Sequence, residues 1–304
     1  MVVCPACSAE LSPALTCGGC GWRGQYRDGL PVLLPETDLT DPATRSYTEN
    51  YDRIARDDLD AKVMDERYIE NLAANFCERV AHVSGLDICD IGSGKGFLVR
   101  KLLARGAASV TAVDISSPYL VRLTGQPGVF PLLANAEALP FVEHFDIVVA
   151  TDVLEHVLNV GSFLYSVNRA LRPNGRFYVR VPHRENLLPY SPHLGCSYRF
   201  VHLRTYDRPL LRQALEEAGF AVEGFWYDGY VPELARSFWR RTALGRKLHQ
   251  RFQNRLRDRG GNAADVTRVP HKLRRVLLRP TVVVAAARKT KKLVPMGGGS
   301  LEAS

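Results

Sequence analysis

Two hydrophobic rhythms take turns along this chain. Short, mainly apolar runs of strand type occupy 87–90, 109–114, 129–133 and 145–150. Between them lie stretches with apolar residues three and four positions apart, as in Phe97, Leu98, Leu102 and Leu103. A short unbroken apolar run suits a strand covered on both faces, and the wider spacing suits a helix with one buried stripe. Their alternation predicts an α/β fold built on a parallel sheet. Further on, residues 171–182 read as a helix end, a Pro173-Asn174-Gly175 turn and a fifth strand. Residues 210–220 read as a helix stopped by Gly219 ahead of a sixth strand, and 281–287 as a last strand. Glycine just past a helix supplies the left-handed cap that ends it.

The join between the first strand and the first helix carries the most chemistry. After Asp90 come glycines at 92, 94 and 96. Glycines so closely spaced let the backbone turn tightly and lie against a ligand. A dinucleotide fingerprint needs glycine at its first, third and sixth positions, and the sixth from Gly92 is Phe97. A phosphate loop needs Gly-Lys followed by Ser or Thr, and Gly96 follows Lys95. A second acidic residue, Asp114, closes the next strand, twenty positions after Gly94. There a carboxylate can accept hydrogen bonds from both ribose hydroxyls of a nucleoside.

Asp-x-Gly-x-Gly-x-Gly at 90–96 resembles the first motif of the Rossmann-type S-adenosylmethionine-dependent methyltransferases. Residues 134–141 resemble that family's adenine loop, with Asn135 where the family usually has Asp. Leu154-Glu155-His156 resembles the segment lining the methionine side in relatives of the ubiquinone and menaquinone biosynthesis methyltransferases. The likeness extends over roughly 45–228 plus the last strand, and 44–55 resembles a helix folded over the cofactor. It implies a Rossmann-like, doubly wound, mostly parallel seven-stranded sheet. It also implies a cofactor site formed by Tyr51, Asp90, Gly92, Ser93, Gly94, Gly96, Asp114, Ile115, Asn135, Ala136, Glu137 and Thr151.

Cys4-x2-Cys7 and Cys17-x2-Cys20 form two knuckles nine residues apart. Two such pairs can supply four thiolates to a tetrahedral zinc ion; a disulfide framework is the alternative. The start of the chain reads as having no secretory leader, which favours reduced thiols and a structural zinc site. The stretch that follows, residues 26–35, resembles the small ribbon protein that partners certain tRNA and protein methyltransferases, and the ribbon fused to some rRNA guanine methyltransferases. The expected layout is a ribbon at 1–35, a helical cap at 36–84, a cofactor-binding domain at 85–293 and a flexible end at 294–304.

At 304 residues with 46% hydrophobic content, the chain suits one full α/β domain and a minor one. No apolar run approaches the roughly 20 residues of a membrane helix. Charge is uneven: between Arg236 and Arg279, fourteen Lys or Arg face two Asp, a balance of +12 in a chain totalling +8, so the remainder is −4. Leu244, Leu248, Phe252 and Leu256 recur every four residues among arginines, predicting an amphipathic basic helix inside an insertion at 229–280. It reads as a lid helix, a helix on anionic lipid, or a grip on RNA.

A sulfonium methyl group is already electrophilic, so the protein must mainly align a nucleophile and exclude water. A base helps where the nucleophile carries a proton, and His156 and His183 follow the fourth and fifth strands at the ligand edge. His193 and His202 fall in a segment expected over the acceptor pocket, where a structural role is the plainer reading. The expected activity is methyl transfer to a small-molecule, sugar or lipid-linked intermediate, in the cytoplasm or peripheral to a membrane. The alternatives are an rRNA or tRNA methyltransferase and a non-catalytic cofactor- or partner-binding protein. Oligomeric state stays open.

Overall fold

The computed structural model describes residues 1–61, 66–229, 231–232 and 278–292. An N-terminal segment with strands β1 (Gln25–Arg27) and β2 (Leu30–Val32) leads into helices α1 (Glu36–Thr40), α2 (Pro42–Ala61) and α3 (Glu66–Arg79). The alternating part follows: β3 (Asp87–Ile91), α4 (Phe97–Ala104), β4 (Ser109–Asp114), α5 (Ser117–Val121), β5 (Val129–Leu133), β6 (Phe145–Thr151), α6 (Val160–Ala170), β7 (Leu171–Pro182), α7 (Arg208–Glu217) and β8 (Phe220–Asp228). A two-residue ladder, β9 (Val231–Pro232) with β10 (Leu278–Arg279), precedes the last strand, β11 (Val282–Lys289).

Strand order is β1-β2-β5-β4-β3-β6-β7-β11-β8. The five strands from β5 to β7 are parallel, and β11 runs antiparallel between β7 and β8. Seven of these strands are the ones expected. The other two, β1 and β2, come from the N-terminal hairpin, which extends the sheet to nine because β2 joins β5 in parallel through Val32 and Leu133. Leu30 and Val32 are buried there, so joining the edge hides apolar surface that a free hairpin would leave in water.

Side chains of successive strand residues go to opposite faces, and each face has its own core. One contains Ile88, Val110, Ala112 and Val149 packed against α3 and α4 through Phe76, Leu98 and Leu102. The other contains Cys89, Ile91, Val113 and Val148 against α6 and α7 through Phe163, Leu211 and Leu215. Cys4 and Cys17 belong to that second core, beside Leu139, Phe141 and Phe145.

The expected Pro173-Asn174-Gly175 turn becomes a bulge inside β7. Pairing steps from Phe145–Leu171 to Ile147–Arg176, and Asn174 takes a left-handed φ of 62°. The sheet continues through the turn because Leu171, Phe177 and Val179 are all core residues. The amphipathic basic helix expected at 244–256 and the flexible end from 294 lie outside the described residues.

Chain order reverses at β3. From β3 the chain winds outward through β4 to β5, then returns to β6 on the other side. In open sheets of this kind ligands bind in the crevice at the carboxyl ends of the strands where the winding reverses.

Candidate functional site

That crevice opens into a cavity of about 620 Å³. Asp90, Gly92, Ser93, Gly94, Asp114, Ile115, Asn135, Ala136, Glu137, Thr151, His156 and Tyr51 all line it. Gly96 and His183 do not border it. Gly96 has a φ of 73°, and a Cβ there would drive into Leu123, so this glycine serves packing at the start of α4. Gly92 has a φ of 68°, and a Cβ there would strike Val153 on the cavity wall. His183 instead packs its ring on Tyr227, with centroids 5.0 Å apart, and donates its backbone N–H to Thr281.

The strand tips present two carboxylates. Asp114 accepts hydrogen bonds from the N–H groups of Gly94 (3.1 Å) and Ser116 (3.0 Å), which fix its plane. Burial pushes its pKa up to about 6. Asp90 is 1% exposed, and neither of its oxygens has a hydrogen-bond partner. Burial, and then the neighbouring Asp114 charge, push it up to about 8 against the pull of Arg180. Ser93 Oγ is likewise buried without a partner. Buried polar atoms are nearly always satisfied, so three orphans on one cavity wall mark the place of a ligand. A ligand with hydroxyls and a cationic amine supplies the missing donors, and an adenosyl amino acid has both.

Asn135 and Glu137 reach the cavity but have protein partners. The Asn135 amide accepts from Glu137 N–H (2.9 Å) and donates to Asp38 on α1 (2.8 Å). Glu137 accepts from the N–H groups of Leu158 (2.7 Å) and Asn159 (3.0 Å), ahead of α6. Both therefore shape the loop from inside.

A roof covers this wall. Tyr47 and Tyr51 project from α2, and Tyr51 Oη donates to the Phe200 carbonyl (2.9 Å). Asn50 bonds both backbone groups of Arg199, Arg53 donates to Ser197, and Tyr198 donates to Asp57. Lys95, in the glycine loop, reaches Asp58 on α2 and Glu66 on α3, each at 3.0 Å. The glycine loop, the α2 cap and segment 197–200 are thus clasped together.

The far wall is polar, and the motif reading missed most of it. Arg180 is nearly fully buried and pairs with Asp152, which has a left-handed φ of 56°. Its only signal in the sequence is a cation inside the apolar strand 177–181. Glu185, Tyr190 and His202 come from the two ends of one long connection and had no spacing signal. The Glu185 carboxylate meets His202 Nδ1, and Tyr190 Oη donates to its other oxygen at 2.7 Å. Burial and the adjacent His202 imidazole hold His156 down to about 4, so its ring is neutral. The His202 backbone N–H donates to His156 Nδ1 (3.3 Å), which leaves the ring proton on Nε2, facing Glu155 at 3.8 Å. Glu155 is fully buried, and burial raises its pKa well above the usual carboxylate range, so it is the neutral acid. Donor atoms of Glu155, His156 and His202 lie within 4.8 Å of one another. With its acid protonated, this cluster is suited to holding protons.

The N-terminal cysteines also meet. Cys7 and Cys17 sulfurs are 3.5 Å apart, Cys4 and Cys20 sulfurs 3.7 Å, and all four lie within 4.8 Å. A zinc ion bound tetrahedrally at about 2.3 Å from each sulfur needs sulfurs roughly 3.8 Å apart, while a disulfide needs about 2.05 Å. The donor set fits zinc and leaves no open coordination position.

The family described as a methyltransferase domain matches residues 61–223. A probable S-adenosylmethionine-dependent methyltransferase of Mycolicibacterium smegmatis is 31% identical over 163 residues, covering 52% of this chain and 62% of that one. The mitochondrial ubiquinone biosynthesis O-methyltransferase of Schizosaccharomyces pombe is 37% identical over 156 residues, covering 47% and 56%. The chain therefore spans little more than half the length of these relatives. A solved complex between the Haloferax volcanii Trm112 methyltransferase activator and a putative methyltransferase aligns with a TM-score of 0.57 and 18% identity, covering 79% of this chain and 98% of the matched one. At that identity the likeness concerns the fold.

Proposed function

The chain belongs to the methyltransferase-domain family, and we propose that it moves a methyl group from S-adenosylmethionine to a small-molecule, sugar or lipid-linked acceptor. The observation that carries this is the continuity of the cavity: one space runs from the orphaned Asp90 and Ser93 atoms to the polar wall of Arg180, Glu185 and His202. Bound at the strand tips, the cofactor supplies an electrophilic methyl group on a sulfonium sulfur. Asp114, held by two backbone donors, takes the ribose hydroxyls. Asp90 faces the amine, which favours its ionised form. Tyr47, Tyr51 and segment 197–200 close over the wall and keep water from the methyl group. A roof tied by hydrogen bonds to α2 suits a small acceptor better than a polymer. The printed name of the fission yeast relative, an O-methyltransferase of ubiquinone biosynthesis, supports the same reading.

The reading includes a structural zinc ion on Cys4, Cys7, Cys17 and Cys20. An N-terminal piece this small needs a metal or similar staple to order its two knuckles.

The test is methyl transfer from labelled S-adenosylmethionine into a fractionated cell extract, with calorimetry of S-adenosylhomocysteine binding in parallel. Label in the small-solute or lipid fraction is the expected result. Label in RNA would replace this acceptor with a polynucleotide. Cofactor binding with no label in any fraction would make the protein a binding module.

A further inference from the structure

We propose that His202, oriented by Glu185 and Tyr190, is the base that takes the proton from an acceptor hydroxyl, so that this protein is an O-methyltransferase of neutral alcohols or phenols. The inference rests on the methyl-transfer reading above and names the residue and the acceptor class. His202 borders the cavity, and its Nδ1 faces Glu185. Glu185 is itself fixed: Tyr190 Oη donates to its second oxygen, and its backbone N–H donates to Thr205 (2.8 Å). The Tyr190 ring stacks on the His202 ring at 4.2 Å and 17°, which sets the imidazole plane. With Nδ1–H donated to the carboxylate, Nε2 carries the lone pair. His156, the other histidine on this wall, is arranged the opposite way, with Nδ1 accepting a backbone N–H.

The backbone supplies an independent sign. His202 has a φ of 44° and Arg184, beside Glu185, a φ of 48°. Side chains rarely adopt this left-handed region, and where they do the strain collects at working sites. Leu203 N–H to Glu155 O (2.9 Å) and Arg184 N–H to Tyr206 O (2.8 Å) hold the two turns in place.

The step balances. The acceptor oxygen forms a bond to the methyl carbon as the carbon–sulfur bond breaks, leaving the neutral thioether. The hydroxyl proton passes to His202 Nε2, and Glu185 stabilises the imidazolium. The charged and titratable groups around the dyad include Glu185, Tyr190 and Cys196 from the segment after β7, and Asp152, Glu155 and His156 from the segment after β6.

Two measurements on the full chain test this. Nitrogen-resolved NMR of the histidine rings, with S-adenosylhomocysteine added, should show His202 neutral with the proton on Nδ1, and Glu185→Gln should disturb that tautomer. A proton on Nε2 overturns the proposal whatever the acceptor is. In transfer to the extract fraction that the unaltered protein labels, His202→Gln should lower kcat about 10²–10⁴-fold, the usual share of a general base. KM and S-adenosylhomocysteine affinity should stay within about twofold. Glu185→Gln should fall between the two and move the acid limb of the pH–rate profile. Full activity in His202→Gln overturns the proposal. Absence of label with the unaltered protein counts against methyl transfer itself, and the ring tautomer still decides the dyad.

Discussion

The two walls of the cavity are built by different means. The strand-tip wall is made by backbone: Gly92 turns where no Cβ fits, and Gly94 and Ser116 N–H groups hold Asp114. The opposite wall is made by side chains brought together over long separations, with Arg180 on Asp152 and Glu185 on His202. One wall waits for a ligand of fixed chemistry, with buried acceptors left open. The other has paired its charges internally and carries the proposed base. A fold that keeps the first wall can change acceptors by rebuilding the second.

The largest expected effect separates the walls outright. Asp114→Ala removes the carboxylate proposed to take the ribose hydroxyls, and charge-assisted hydrogen bonds are worth about 1.5–3 kcal/mol each. Affinity for S-adenosylhomocysteine should fall on the order of a hundredfold or more by calorimetry, and Glu185→Gln should leave it unchanged. A large loss from Glu185→Gln would show that the walls are one cooperative unit.

The second effect concerns stability. Arg180→Met leaves Asp152 without its buried partner. Removing one member of a buried ion pair commonly costs about 3–5 kcal/mol, and the half-exposed Asp152 argues for the lower end. Chemical denaturation should show a loss of about 3 kcal/mol without a change in m-value. Arg176→Met, at an exposed pair with Glu223, should cost no more than about 1 kcal/mol.

How much of each wall was legible follows from how it is made. Asp90, the glycines and Asp114 lie within a 25-residue window in which strand, turn and helix dictate geometry, so spacing alone places them. Strands β3, β4 and β6 were also readable as strands, because each apolar run is buried on both faces. The β2–β5 pairing was not, since three residues of hairpin carry no sign of their parallel partner about a hundred positions away. Glu185, and its pairing with His202, stayed hidden for the same reason: the 16 residues between them form short turns with no period to follow. Reading His183 as a base followed a rule about strand ends, but just past β7 that ring packs on Tyr227 of β8 and does not border the cavity.

The third prediction uses pH. Asp90 is raised from an ordinary carboxylate to about 8, so the folded protein holds a proton that the unfolded chain has lost between about pH 4 and pH 8. Stability of the cofactor-free protein should therefore decline as pH rises through that window. Asp90→Asn removes the penalty, and its Tm should exceed that of the unaltered protein at pH 8, by on the order of 5 °C, and match it near pH 4. Binding carries the opposite sign. A cationic amine favours ionised Asp90, so affinity should climb up to about tenfold per pH unit below 8, with proton release on binding. Asp90→Asn should bind weakly at every pH. A variant that gained no stability would mean that Asp90 is already ionised and paired before the cofactor arrives.

The smallest effect probes whether the strand-tip wall has a support of its own. Residues 133–142 carry the loop that resembles the family's adenine loop, and the N-terminal segment holds them on both flanks. Leu33 N–H bonds Leu133 O, Val3 N–H bonds Pro140 O, Val142 N–H bonds Met1 O, and Asp38 accepts from Asn135. If the cysteine cluster holds zinc, the metal fixes the knuckle that presents Val3, and its removal should loosen a loop more than a hundred residues away. Asp38→Ala cuts a single contact of about 1 kcal/mol. It should weaken S-adenosylhomocysteine binding about fivefold and leave acceptor KM alone. Cys7→Ser should weaken the same binding by more, with the loss of one bound zinc read by metal analysis. Equal cofactor affinity in both variants would mean that the wall stands on its own glycines and carboxylates, and that the N-terminal ribbon serves another purpose.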